Sequence, residues 1–205
     1  MILYMTKQTI ERYKIELPEE MEPAQKYLAK ALMKNHAFEG KSPKEVLEKL
    51  NGQICGNNPE EMFVTVWLGV LDLRTGLLTA ANAGHEFPIL QEPGGAFEIV
   101  RDKHGFVVGG MEGVSYQEYT LQLKPGSRLF LYTDGVPEAT NAGEELFGMD
   151  RTVEALNRAA EGSPKEILQA VHDAVDRFVG AAPQFDDLTM LCLEYRGPEG
   201  AAEKG

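Results

Sequence analysis

Read along the chain, the segments run helix, helix, several strands, helix, helix, strand. That order predicts an α+β domain: a largely antiparallel sheet system with its helices on the outside. Three observations carry the prediction. The strands follow one another rather than alternating with helices, so the chain does not read as repeated βαβ units. Residues 62–73 are almost wholly apolar and rich in β-branched and aromatic side chains, the composition of a strand buried on both faces. The tetrapeptide Ser-Pro-Lys-Glu occurs twice, at 42–45 and at 163–166, each time ahead of an apolar helical period.

Each element has a local cause. Ala24 to His36 reads as a helix, with Leu28, Leu32 and Met33 on one side. Ser42 is the N-cap of the next helix, Pro43 takes the first helical position and Glu45 reaches back, so a helix runs to Asn51 or Gln53 with Val46, Leu47 and Leu50 inward. The strand at 62–73 turns at Arg74-Thr75-Gly76 and returns antiparallel as Leu77 to Ala83. Pro93-Gly94-Gly95 is a loop. Phe97–Arg101, Tyr116–Leu123 and Arg128–Thr133 are further strands, the last two joined by Lys124-Pro125-Gly126-Ser127. A short helix starts near Asp150. Ser163 to Val179 is a second capped helix, burying Ile167, Leu168, Val171, Val175 and Phe178. Leu188 to Tyr195 closes the sheet. The chain divides into an atypical segment 1–23, a domain 24–196 and a Gly/Ala/Glu-rich tail 197–205 that frays.

Composition narrows the function. A net charge of −12 argues against nucleic acid and against an anionic membrane surface, since phosphate contacts need clustered Lys and Arg. No apolar stretch reaches the length of a membrane span. Cys55 and Cys192 lack a C-x-x-C partner and read as buried free thiols, which suits a reducing cytoplasm. There is no G-x-x-x-x-G-K and no G-x-S-x-G, which removes a nucleotide-binding loop and a serine-hydrolase elbow.

The residues that carry chemistry are acidic and sit at strand ends. Asp134 ends the run Phe130-Leu131-Tyr132-Thr133, and Gly135 after it lets the backbone approach a ligand. A carboxylate there binds a hard cation such as Mg²⁺ or Mn²⁺, or closes a turn onto its own backbone. Asp186 and Asp187 open the final strand. Adjacent carboxylates repel unless a cation or donor compensates, or they lie at a solvated loop end. Side chains alternate along a strand, so one of the pair faces a given site. His85, in Asn82-Ala83-Gly84-His85-Glu86, can contact phosphate, act as a general acid, or hold a backbone carbonyl. No Asp occurs before Asp72.

Five stretches in this order resemble PPM-type metal-dependent serine/threonine phosphatases, in the bacterial branch of stage II sporulation protein E and the stress-sigma-factor regulators. They are Met62-Phe63-Val64-Thr65, Asn82-Ala83-Gly84-His85, Leu131 to Val136 with Glu138-Ala139, Leu146-Phe147-Gly148, and Phe185 to Thr189. The resemblance spans 24–196. It implies a phosphatase-2C-like β-sandwich flanked by helices. It also implies two Mn²⁺ or Mg²⁺ ions that activate water for direct attack on a phosphoserine or phosphothreonine. Asp134 matches a metal-binding Asp, Asp186 the first Asp of the terminal motif, and Asp187 its neighbour. The implied substrate is a bacterial regulatory phosphoprotein of the anti-sigma antagonist type.

One motif departs from the pattern. The family carries a Gly-Asp-Val-Ser-Gly-Lys-Gly-like segment before its first long helix, whose Asp bridges both metals. Here Lys14 to Pro23 stands in that place, with Glu19, Glu20 and Glu22 as its only acids beside Glu16. The expectation is an N-terminally truncated domain with impaired metal binding. Lost strands would leave an open sheet edge, which invites self-association. Met1 and Met5 as paired starts leave room for an upstream piece in a longer reading frame. Two functional readings follow: a metal-dependent phosphatase domain, or an inactive phosphatase-fold binding module. Phosphotransfer through an aspartyl-phosphate needs Asp-x-Asp-Gly-Thr, and Tyr132 stands where its first Asp belongs.

Overall fold

The computed structural model describes residues 41–56, 63–182 and 187–198, and the backbone of 2–5. The helix expected at 24–36 and the acids Glu19, Glu20 and Glu22 lie outside the described residues. The elements in chain order are β1 (Ile2–Met5), α1 (Pro43–Cys55), β2 (Val66–Leu71), β3 (Leu77–Ala83), β4 (Ile89–Gln91), β5 (Phe97–Ile99), β6 (Glu118–Gln122), β7 (Arg128–Tyr132), α2 (Gly148–Arg158), α3 (Pro164–Val179) and β8 (Met190–Glu194). They form two compact units. The first takes in residues 1–85 and 102–122, the second 86–101 and 123–205. No described helix is long and apolar enough to cross a membrane.

The first unit holds a sheet in the order β1-β2-β3-β6. β2 and β3 form the expected hairpin, in register Val66↔Ala83 to Leu71↔Leu78. Gly76, at φ 73°, supplies the left-handed residue that turn requires. α1 begins at the Ser42/Glu45 capping box and lays Val46, Leu47 and Leu50 against Val66, Leu68, Ala81 and Ala83. Trp67 is fully buried, and its indole lies across Gly69: a Cβ there would stand 2.4 Å from the ring. Only a glycine leaves the path by which Trp67 reaches the Tyr119 hydroxyl, at 2.7 Å.

The strand read at 62–73 is shorter than expected. Val64 leaves the β2 ladder and pairs with Val108 through two backbone bonds of 2.9 and 3.0 Å. β1 pairs in parallel along β2. The side of β2 away from β3, which the truncated reading leaves open, is therefore occupied.

The second unit holds an antiparallel sheet in the order β5-β4-β7-β8. α2 and α3 supply Ala155, Leu156, Ile167, Val171 and Val175 to a core with Ile89, Phe97, Phe130 and Tyr132. α3 opens on the second capping box, Ser163 with Glu166. Leu168 and Phe178 pack on this core while half-buried. β4 was not expected: it is three residues long, too short for alternation to show. Lys124–Ser127 makes no hairpin, because β6 and β7 belong to different sheets. Asn157 of α2 pairs with Phe97 of β5 like a strand residue, accepting from its N–H at 2.7 Å and donating to its carbonyl at 3.2 Å. The edge of β5 is thereby satisfied by a side chain. Both cysteines are free and half-buried rather than buried, and burial pushes the Cys192 thiol up to about 11.

Candidate metal centre at the β7–β8 edge

Within the second unit, β7 and β8 pair from Arg128↔Glu194 to Tyr132↔Met190. β7 then breaks into a turn: Val136 N–H donates to the Thr133 carbonyl at 3.1 Å and Glu138 N–H to the Asp134 carbonyl at 2.9 Å. Val136 is completely buried and anchors the turn, which leaves Asp134 exposed. Asp134 Oδ1 accepts from Gly135 N–H at 3.0 Å. Gly135 is buried, and its amide is thus directed at Asp134 itself. Behind the turn, Phe147 N–H reaches the Ala139 carbonyl at 2.7 Å and Gly148 N–H the Pro137 carbonyl at 2.8 Å. Leu146-Phe147-Gly148 is therefore a brace for the Asp134 turn.

The segment leading into β8 arrives at the same edge. Thr133 Oγ1 donates to the Asp187 carbonyl at 3.2 Å and accepts from Thr189 N–H at 3.2 Å. Asp187 is exposed, one residue pair beyond Asp134 on the neighbouring strand path. Asp186 lies outside the described residues. The donors at this edge are carboxylate and hydroxyl oxygens, the chemistry that suits a hard divalent cation. Among the described residues no group of three His, Cys, Asp or Glu side chains is close enough to hold a metal ion. The donor type fits Mg²⁺ or Mn²⁺, while the described donors alone are too few to enclose one.

His85 lies in the first unit and is 6% exposed. Its N–H donates to Asn82 Oδ1 at 2.8 Å, and Asn82 Nδ2 donates back to the His85 carbonyl at 3.0 Å. Burial pulls the imidazole down to about 4, so the ring is neutral at pH 7. Nδ1 lies 3.5 Å from Thr65 Oγ1, and Nε2 has no hydrogen-bond partner among the described residues. A neutral, enclosed ring is poorly suited to giving a proton to a leaving group.

The sequence reading missed Asp102. Its side chain is 0% exposed, with Asn82 Nδ2 at 3.2 Å and His104 Nδ1 at 3.2 Å. Tyr119 lies near it, and burial raises that phenol far above its usual range, so the hydroxyl keeps its proton. Asp102, Asn82 and His85 form one polar chain, and the Trp67–Tyr119 pair lies beside it. The available signal was Asn three residues before His, an arrangement that favours a local side-chain clamp.

The described architecture is that of a known class. The SiaA-PP2C domain of Pseudomonas aeruginosa superposes with a TM-score of 0.71 at 20% identity, covering 83% of this chain and 69% of that one. The catalytic domain of the serine/threonine protein phosphatase PstP, solved in complex with two manganese ions, matches at a TM-score of 0.57 and 16% identity, over 82% of this chain and 78% of that one. The fold is thus the PP2C phosphatase fold. Within that class, residues 27–196 match the stage II sporulation protein E (SpoIIE) family, and the chain belongs to it. Protein IcfG of Synechocystis sp. (strain ATCC 27184 / PCC 6803 / Kazusa) is 34% identical over 135 residues, 66% of this chain and 21% of that protein. Phosphoserine phosphatase RsbU of Bacillus subtilis (strain 168) is 29% identical over 159 residues, 77% of this chain and 46% of RsbU. The chain spans less than half the length of either relative.

Proposed function

We propose that this chain is a metal-dependent phosphoserine/phosphothreonine protein phosphatase domain acting on a bacterial regulatory phosphoprotein in the cytoplasm. The observation that carries it is the meeting of the Asp134 turn and the Asp187 segment at one sheet edge, in a chain whose residues 27–196 match the SpoIIE family. Asp134 and Asp186 serve as ligands, with Asp187 flanking them. When bound, Mn²⁺ or Mg²⁺ supplies Lewis acidity, an activated water and charge neutralisation at phosphorus. Asp134 is suited to hold such an ion because it is exposed and Gly135 N–H orients its carboxylate. Gly135 also lets the backbone approach the ion. His85 we read as a structural clamp. The preferred substrate is an anti-sigma antagonist type of phosphoprotein, as the family resemblance implies; the similarity to a phosphoserine phosphatase, RsbU, supports a phosphoserine ester. Self-association through an outer strand belongs to the same reading, and light scattering that gives a stable monomer ends that part of it.

A second reading has its own support. The stretch before Asp72 contains no Asp, so within this polypeptide the bridging carboxylate of the resemblance has no counterpart. On that reading the fold is a protein-binding module without hydrolysis. Hydrolysis of para-nitrophenyl phosphate with and without Mn²⁺ separates the two. Mn²⁺-dependent turnover that is lost in Asp134→Ala supports the enzyme. No turnover in the wild type, with retained binding of a phosphoprotein, supports the module.

A further inference from the structure

The residue before Asp134 does something a strand residue ordinarily does with its backbone. In a hydrogen-bonded antiparallel pair, two residues exchange both N–H···O bonds. Thr133 makes the first of these, N–H to the Thr189 carbonyl, at 3.0 Å. The second, from Thr189 N–H to the Thr133 carbonyl, is replaced. That carbonyl accepts instead from Val136 N–H and closes the Asp134 turn. Thr189 N–H donates to the Thr133 hydroxyl at 3.2 Å, and the hydroxyl passes its own proton to the Asp187 carbonyl at 3.2 Å. The side chain stands in for the backbone group that the turn has taken, and adds one bond beyond the end of the ladder.

We propose that Thr133 is a positioning residue for the metal centre: its hydroxyl sets the approach of segment 187–189 to the Asp134 turn and thereby the affinity of this edge for a divalent cation. The inference rests on the metal-dependent reading above. Three properties suit Thr to the task. It needs a donor and an acceptor on the same atom, which a hydroxyl has. It needs that atom on Cβ, close to its own backbone. Its β-branch limits χ1, so the hydroxyl stays in place. Serine keeps the first two properties and valine only the third.

The test is Mn²⁺ binding to the full chain by isothermal titration calorimetry, for the wild type, Thr133→Val, Thr133→Ser and Asp134→Ala. It is paired with hydrogen exchange of the Thr189 amide in metal-free protein. The valine variant is expected to bind about tenfold more weakly or worse, the range found when groups behind metal ligands are removed. Its Thr189 amide should lose protection, while the serine variant should keep both properties within about threefold. If the valine protein does not fold, Thr133→Ala replaces it in both measurements. Wild-type affinity in the hydroxyl-free variant, where Asp134→Ala has lost binding, overturns the role of Thr133 alone. Failure of the wild type to bind Mn²⁺, or unchanged binding in Asp134→Ala, overturns the metal reading and this inference with it.

Discussion

Asp102 in the first unit and Asp134 in the second are both carboxylates just beyond strands, yet their surroundings are opposite. Asp102 is enclosed, with Asn82 Nδ2 donating to it at 3.2 Å and His104 Nδ1 at 3.2 Å from it. Asp134 is exposed, and its side chain accepts from the next residue's amide. A carboxylate whose lone pairs are met by fixed protein donors has nothing left to offer an ion. One that is exposed and oriented by the next residue's backbone N–H does. The contrast fits a structural role for the first carboxylate and the proposed ligand role for the second.

The largest expected effect of a substitution would break that contrast if it failed. Asp102→Ala should destabilise the protein by about 2 kcal/mol in urea unfolding, because it empties a buried site and strands the buried Asn82 amide. Asp134→Ala should change stability by less than about 0.5 kcal/mol while removing Mn²⁺ affinity. Equal stability losses in the two variants would erase the distinction drawn here.

Next is a pH effect in the first unit. His85 has its folded pKa depressed to about 4 from an ordinary 6.5. The unfolded chain therefore binds the proton first as pH falls. The stability tied to the neutral ring is fully present above about pH 6.5 and is lost as pH drops toward 4, by on the order of 3 kcal/mol. His85→Gln should flatten the unfolding free energy across that window, measured by denaturant midpoints at several pH values. An unchanged slope would mean that the ring takes up its proton without disturbing the Asn82 clamp.

The smallest effect sharpens the picture of the second unit. Ser163→Ala removes one half of a capping box and should cost about 1 kcal/mol. Mn²⁺ affinity should not change, since α3 carries no ligand.

What was legible in the residues was mostly local. Both capping boxes place their helices to within a residue or two, because Ser, Pro and Glu act within four positions. The β2–β3 hairpin was readable for the same reason. What failed depended on partners far along the chain. Val64 leaves β2 for Val108, forty-odd residues on, and nothing near Val64 announces it. Tyr116–Leu123 and Arg128–Thr133 were read correctly as strands, but their division between sheets is decided by β3, β4 and β8. Asp134 stood out because it ends an apolar run. Asp102 did not, since the donor that engages it, Asn82, arrives from β3, twenty residues back. The function of Thr133 was equally hidden, because it appears only once Thr189 is brought opposite.

Trp67 is the chain's single tryptophan, sealed over Gly69 with its indole N–H held by Tyr119. Intrinsic fluorescence is therefore a signal from one sheet only: emission should be blue-shifted in the native protein and move red when that sheet comes apart. Overlaid with far-ultraviolet circular dichroism, which averages every helix and strand, it offers an optical test of whether the two units melt together. Coincident curves would mark a single cooperative transition, and separated ones two.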